Sequence, residues 1–236
     1  MTPLKRYDSD ESTQQSADLE VGSVSFRFRP IQPEDKDVVQ KLHEEWFPVR
    51  YQTDFYEELA QQKMGGEPLY TSLAILPDQQ VAACIVGAYV QTQRLSEPMR
   101  KMLVCDPSRY TTMFYIMTLG TITECRHCGL ATRLVTACME TVEQDPSCGV
   151  LYLHVITFNT AAIRFYEKLG FERIQEIPNY YNINGEQYNC FLYAKFYHGN
   201  RAPGLYGNLV SAVSQLWRSF LWQWNYIIGK PRLRAQ

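Results

Sequence analysis

The chain has 236 residues, 45% of them apolar and 20% charged, with a net charge of −2. That length fits one domain with tails, the near-neutral balance argues against a nucleic-acid partner, and no apolar run reaches the roughly 18 residues needed to span a bilayer. Seven cysteines, at 84, 105, 125, 128, 138, 148 and 190, follow no framework spacing and fit reduced thiols in a cytosolic compartment.

Residues 1–22 are rich in Ser, Gln, Asp and Glu, and are expected to form a disordered acidic leader with no signal-peptide character. A globular domain is expected over 23–197 and a basic tail over 198–236. The alternating run Val24–Arg29 opens the domain as a strand, and Pro30–Asp35 leads into a helix ending near Glu45. Trp46–Tyr51 breaks it, a second helix follows from about Asp54 to Gln62, and Leu69–Leu76 pairs with Val81–Val90 across Pro77-Asp78. Gln93–Arg109 is polar, contains prolines and is expected to be a loop. A strand at Tyr115–Ile122, a helix from Leu130 and a buried strand at Leu151–Ile156 come next. After a further helix from Asn159, Arg173–Ile177 and Tyr188–Phe196 close the domain as a hairpin around Pro178–Glu186.

The most informative stretch is Arg126-His-Cys-Gly-Leu-Ala131, between that strand and a helix with Leu130, Leu134, Val135, Cys138 and Val142 on one face. A strand, a glycine turn and a helix N-terminus together make an anion site, because the first turn's unpaired N–H groups face whatever sits there. Cys125 and Cys128 have the spacing of a metal half-site or redox pair, but no second such pair exists, and no metal is expected.

The spacing Arg-x-x-Gly-x-Ala resembles the pyrophosphate loop of the GNAT acetyltransferases. The segment Asn159-Thr-Ala-Ala-Ile-Arg-Phe-Tyr-Glu-Lys-Leu-Gly-Phe171 is similar to a second signature of that superfamily, in the right order and at the right separation. The resemblance implies an α/β GNAT fold: a mixed central sheet of about seven strands flanked by helices, followed here by a C-terminal amphipathic helix. It implies acetyl-CoA as co-substrate, held by Leu119, Gly120, Thr121, Arg126, His127, Cys128, Gly129, Leu130, Ala131, Thr132, Asn159 and Tyr166.

Glu45-Trp-Phe-Pro-Val-Arg-Tyr51, Tyr115, His154 and Pro178-Asn-Tyr-Tyr181 narrow the resemblance to N-terminal acetyltransferases of the Golgi-associated NatF type. These act on the α-amine of proteins that keep an initiator Met, nascent or membrane-bound. The implied catalytic pair is Tyr115 and His154, acting through ordered water without an acyl-enzyme. A histidine with a reference pKa of about 6.5 suits a base working near neutral pH. The implied acceptor slot is lined by Phe47, Pro48, Val49, Tyr51, Met117, Tyr180 and Tyr181, with a backbone N–H near Met117–Leu119 polarising the thioester. Arg50 stands where the NatF pattern carries an acid, so a second residue that is neutral or acidic is expected to be preferred over lysine.

Residues 201–236 hold five basic residues and no acid, leaving −7 for the rest of the chain. Apolar residues at 206, 209, 210, 213, 216, 217, 220, 221, 224, 227 and 228 form a wide helical stripe that includes Trp217 and Trp224. Tryptophans beside Lys230, Arg232 and Arg234 suit an anionic membrane surface, and the resemblance implies the cytosolic face of the Golgi. Two other functions compete. A lysine or histone acetyltransferase requires an open, acidic acceptor groove, and a non-catalytic acyl-CoA-binding scaffold would be expected to have lost some of Tyr115, His154, Arg126, Gly129 and Asn159.

Overall fold

A computed structural model describes residues 19–21 and 24–203. The first strands are β1 (Leu19–Val21) and β2 (Val24–Arg29), followed by α1 (Lys36–Trp46) and α2 (Thr53–Ala60). Next come β3 (Lys63–Met64), β4 (Glu67–Ile75), β5 (Val81–Gln91) and α3 (Glu97–Leu103). The second half runs β6 (Thr112–Thr121), α4 (Leu130–Glu143), β7 (Cys148–Ile156), α5 (Thr160–Lys168), β8 (Glu172–Ile183) and β9 (Glu186–Phe196). The strands form one mixed sheet in the order β1-β2-β4-β5-β6-β7-β9-β8, with the two-residue β3 beside β4. β6 and β7 are its parallel pair among the described residues, joined through α4 as a parallel crossover demands.

Each face of the sheet is covered. α4 and α5 bring Leu130, Leu134, Val135, Cys138, Val142 and Tyr166 against Phe114, Leu151, Leu153 and Tyr193. On the opposite face, α1 and α2 close over Leu73, Ile75, Cys84 and Val86 with Val39, Phe55, Tyr56 and Leu59. Asp35 ties the start of α1 to the end of β2, since its carboxylate takes two bonds from Arg29 at 2.5 and 2.8 Å and one from the Gln32 N–H at 2.7 Å.

Three segments differ from the sequence reading. The expected loop Gln93–Arg109 contains α3, because Pro98 sits in the first turn, where a missing N–H costs nothing, and Met99 and Leu103 are four apart and fully buried. α3 therefore lies over the cluster that contains Tyr115 and Tyr152. The hairpin loop expected at Pro178–Glu186 is far shorter. Asn184 and Gly185, at φ 54° and 88°, make a two-residue turn, so Tyr180 and Tyr181 stand in β8 itself. Finally, Leu19–Val21, expected in the leader, pairs with β2. The remainder of the leader, residues 1–18, and the tail from residue 204 lie outside the described residues. Among the described residues no helix is long and apolar enough to cross a membrane.

Candidate active site

The site begins where β6 and β7 part. Their pairing runs from Thr112 opposite Cys148 to Tyr115 opposite Tyr152 and stops there, although the strands continue to Thr121 and Ile156. The cause lies on the other edge of β6. Gly87 pairs with Ile116 and Val86 with Thr118, so Met117 is an extra residue, and such a bulge bends its strand. It also shifts the alternation of side chains. Phe114, Ile116 and Leu119 pack toward α4 and α5, while Tyr115 and Met117 pack on the opposite face. Beyond the split β6 stays paired with β5 and β7 with β9, but the backbone groups they turn toward each other have no ladder partner and can accept an extended ligand between them.

At one mouth of the split lies the loop before α4. His127 and Gly129 have φ of 64° and 82°, with Cys128 between them on the ordinary side. This alternation turns successive N–H groups the same way, and Gly129 is the N-cap of α4. No side chain caps α4 and no acid lies in its first turn, so the N–H groups of Leu130, Ala131 and Thr132 stay available to an anion. Arg126 is exposed beside them. Asn159 caps α5, its Oδ1 accepting the Ala162 N–H at 3.1 Å, which leaves its amide nitrogen for other contacts. Tyr166 is buried in the α4/α5 layer between Phe165 and Phe171. Gly120 is held to glycine by space, because a Cβ there would overlap the Trp46 ring. All seven cysteines are free thiols, and among the described residues no group of three or more His, Cys, Asp or Glu could hold a metal.

On the other face the aromatic side chains converge. His154 Nδ1 lies 3.3 Å from the Tyr115 hydroxyl and 3.3 Å from that of Tyr180. Its ring stacks on Tyr180 at 4.5 Å and 20°, and Tyr181 packs edge-on to Tyr180 at 4.8 Å. Tyr180 reaches His154 through an irregularity in β8. Between Ile177 opposite Cys190 and Tyr181 opposite Tyr188, three β8 residues face one of β9, with Asn179 at φ 55°. Burial raises the Tyr115 phenol and nearby Tyr51 adds to this, while the hydrogen bond from Tyr180 works against it. Burial likewise raises Tyr181, and drives Tyr51 up to about 12.

Burial has the opposite effect on the imidazole, pushing His154 down to about 3. Burial thus disfavours the charged imidazole relative to the near-neutral reference value expected from the sequence. Its Nε2 is buried without a partner.

The segment between α1 and α2 supplies the remaining wall. Phe47, Val49 and Tyr51 are half-buried, Pro48 is exposed, and Tyr51 stacks on Phe55 at 4.5 Å and 22°. Beneath them lies His43, which the sequence reading did not single out. It is 1% exposed, and the rings of Trp46, Phe47, Tyr51, Phe55 and Tyr56 all lie within 6.3 Å. Both its nitrogens are unpartnered, and burial lowers its pKa to about 4. Its signal in the sequence is a polar residue on the buried face of an amphipathic helix. Arg50 is exposed at this rim and donates to the Glu44 carbonyl.

Comparison with known proteins follows the same lines. Residues 36–171 match the model of the Acetyltransferase (GNAT) family. "N-alpha-acetyltransferase 60" of Danio rerio is 30% identical over 75% of this chain and 72% of its own length. "Histone acetyltransferase MCC1" of Arabidopsis thaliana is 27% identical over 86% of this chain and 82% of its own. Among solved structures, NAA60 of Arabidopsis thaliana in complex with a bisubstrate analogue superposes with a TM-score of 0.65 at 28% identity, covering 74% of this chain and 99% of that one. The same protein in complex with acetyl-CoA gives 0.65 at 29%, over 72% and 98%.

Proposed function

The chain belongs to the GNAT acetyltransferase family, and from that premise we propose that it transfers acetyl from acetyl-CoA to the α-amine of proteins that keep their initiator methionine. The observation that carries this reading is the convergence of Tyr115, His154 and Tyr180 beside the point where β6 and β7 part. The residues present fit acetyl-CoA. The uncapped start of α4, with Gly129 and Arg126, suits the pyrophosphate, and the unpaired strand edges suit the amides of the pantetheine arm. The thioester then lies near Met117, where the bulged backbone can offer an N–H to the developing oxyanion.

The acceptor amine enters between Phe47, Pro48, Val49 and Tyr51 on one side and Tyr180 and Tyr181 on the other, with Met117 at the floor. An α-ammonium has a pKa of about 7.7–8.0 in water, and an aromatic slot disfavours its charge. Its proton leaves through the Tyr115 hydroxyl and His154 Nδ1 or water between them. With the imidazole near 3, holding that proton costs about 1.4 kcal/mol for every pH unit separating the two pKa values. His154 therefore does not keep the proton, which passes through water in the cleft to bulk solvent. The neutral amine attacks the thioester carbon, the C–N bond forms, and collapse of the tetrahedral intermediate breaks the C–S bond. The CoA thiolate leaves and takes up a proton.

Acetyl transfer from labelled acetyl-CoA to peptides differing in their first two residues tests the reading, with Nα-blocked lysine peptides alongside. Transfer to free Met-Leu, Met-Ile or Met-Phe termini is expected. Transfer only to blocked lysine peptides would replace it with the lysine activity suggested by the relative named as a histone acetyltransferase.

The acid-free, tryptophan-bearing tail supports a place on the cytosolic face of a membrane, that of the Golgi by the NatF resemblance. Deleting residues 204–236 should move the protein to the soluble fraction and leave peptide acetylation intact. That boundary retains Asn200, whose amide nitrogen donates to the Leu103 and Gly149 carbonyls at 2.9 and 3.0 Å. A truncated protein that still pellets with membranes would sink the anchor.

A further inference from the structure

Two buried polar atoms beside the proposed relay are left without partners: His154 Nε2 and the hydroxyl of Tyr152. Such groups are uncommon in folded proteins, and each calls for a physical reason. Both belong to β7, two residues apart, and so lie on one face of the sheet. Tyr152 is fully buried, its ring 4.8 Å from Tyr115 and 6.2 Å, edge-on, from His154.

Two phenol hydroxyls crowd the other side of the imidazole, each with a hydrogen to donate. The Tyr115 and Tyr180 hydroxyls both lie 3.3 Å from Nδ1, and burial keeps both phenols protonated, so either can donate to it. A neutral imidazole carries one N–H, so with Nδ1 accepting, the hydrogen sits on Nε2. Nε2 is then a buried donor in need of an acceptor. The Tyr152 hydroxyl, an unpartnered buried oxygen on the same face of the same strand, can serve as that acceptor.

We propose that Tyr152 is a positioning residue for His154: its hydroxyl, through one enclosed water, accepts the Nε2–H and so keeps Nδ1 turned as an acceptor toward Tyr115. This rests on the acetyl-transfer reading above. It adds to the relay a group that never touches substrate and that sets which ring nitrogen faces the reaction, the part a buried orienting group plays in other base-assisted sites. A purely packing role makes the opposite demand, because phenylalanine would fill the same space without an unpaired hydroxyl.

The experiment uses the full chain and has two readouts. Nitrogen-15 NMR of the imidazoles should find wild-type His154 as the Nε2–H tautomer, with the Nε2 proton hydrogen-bonded; an Nδ1–H tautomer overturns the proposal whatever the enzyme does. In Tyr152→Phe the ring should become a mixture of tautomers and kcat should fall roughly 10-fold or more. KM for peptide and for acetyl-CoA should stay within about two-fold, and the melting temperature should not drop. Unchanged kcat with an unchanged tautomer in this variant would also overturn it. If wild type transfers acetyl to no peptide, the enzymatic reading fails on its own, while the tautomer comparison still decides the part played by Tyr152.

Discussion

The two walls of the cleft are made of different material. On the α4 side the groups available to a ligand are backbone: the N–H groups of Leu130–Thr132, the alternating turn at His127–Gly129, and the free edges of β6 and β7. On the other side they are rings, contributed by α1, the segment after it, β6, β7 and β8. A wall built of backbone depends on glycine conformation and on space, and is indifferent to many side-chain changes. A wall built of rings depends on individual residues, each held by others.

The sharpest way to break this contrast is to remove single groups from the ring side. Tyr115→Phe and His154→Ala should each lower kcat by about 10²–10⁴-fold, the range associated with a positioned proton-transfer group. Acetyl-CoA affinity, measured by calorimetry, should be nearly unchanged in both. Equal losses of kcat and of acetyl-CoA binding would mean that the two walls are not separable.

On the backbone side the two glycines should fail differently. Gly120→Ala drives a Cβ into Trp46 and should destabilise by about 1–3 kcal/mol, seen as a lower melting temperature and relieved when Trp46 is also made smaller. A Cβ at Gly129 would meet nothing within 4 Å, so only its φ of 82° resists substitution. Gly129→Val should cost about 1–2 kcal/mol and raise KM for acetyl-CoA, whereas Gly129→Asn, which tolerates left-handed backbone, should do so far less. Equal effects of valine and asparagine would show that strain is not what glycine relieves there.

The same contrast explains what could be read in the sequence. The α4 side is one local stretch, a strand, a turn and a helix, so its spacing is visible in Arg126–Ala131. The ring side is assembled by pairing between distant segments. Tyr115 and His154 come together through β6–β7 pairing, but Tyr180 reaches His154 only because β8 returns beside β9 and bulges at Asn179. Nothing near Tyr180 encodes that. Asn184-Gly185 did encode the position of the hairpin turn, and giving that pair its full weight would have kept Tyr180 and Tyr181 in a strand. α3 was hidden because Pro98 reads as a breaker unless its place in the first turn is known. His43 and Tyr152 look like ordinary core positions, and their unpartnered atoms become visible only with their neighbours in place.

The ring side also contains both strongly depressed imidazoles, which gives it a dependence on pH. His43 near 4 and His154 near 3 lie below the usual value of about 6.5, so the unfolded chain binds protons that the folded chain excludes. Stability from this source is fully present above about pH 6.5 and is lost as pH falls toward 4 for His43 and 3 for His154. Melting temperature should decline over that interval, and His43→Phe should flatten part of the slope and raise the melting temperature near neutrality, since it removes two buried unpaired nitrogens. A slope unchanged in His43→Phe would mean that other groups dominate acid unfolding.

The smallest effect expected is on the choice of second residue. Arg50 lies at the rim between Val49 and Tyr51 and is held by its bond to the Glu44 carbonyl, among the last carbonyls of α1, where a cation is favoured. A fixed positive charge there repels a lysine that follows the initiator methionine and leaves leucine unaffected. Because the group is exposed, the discrimination should amount to no more than about 1 kcal/mol, or roughly five-fold in kcat/KM, and should shrink as salt is raised. Arg50→Glu should reverse the order, bringing Met-Lys above Met-Glu while Met-Leu changes little. A wild-type enzyme that prefers Met-Lys, or an Arg50→Glu variant with the same ranking, would show that peptide side chains pass this rim without sensing its charge. The slot would then select through its rings alone.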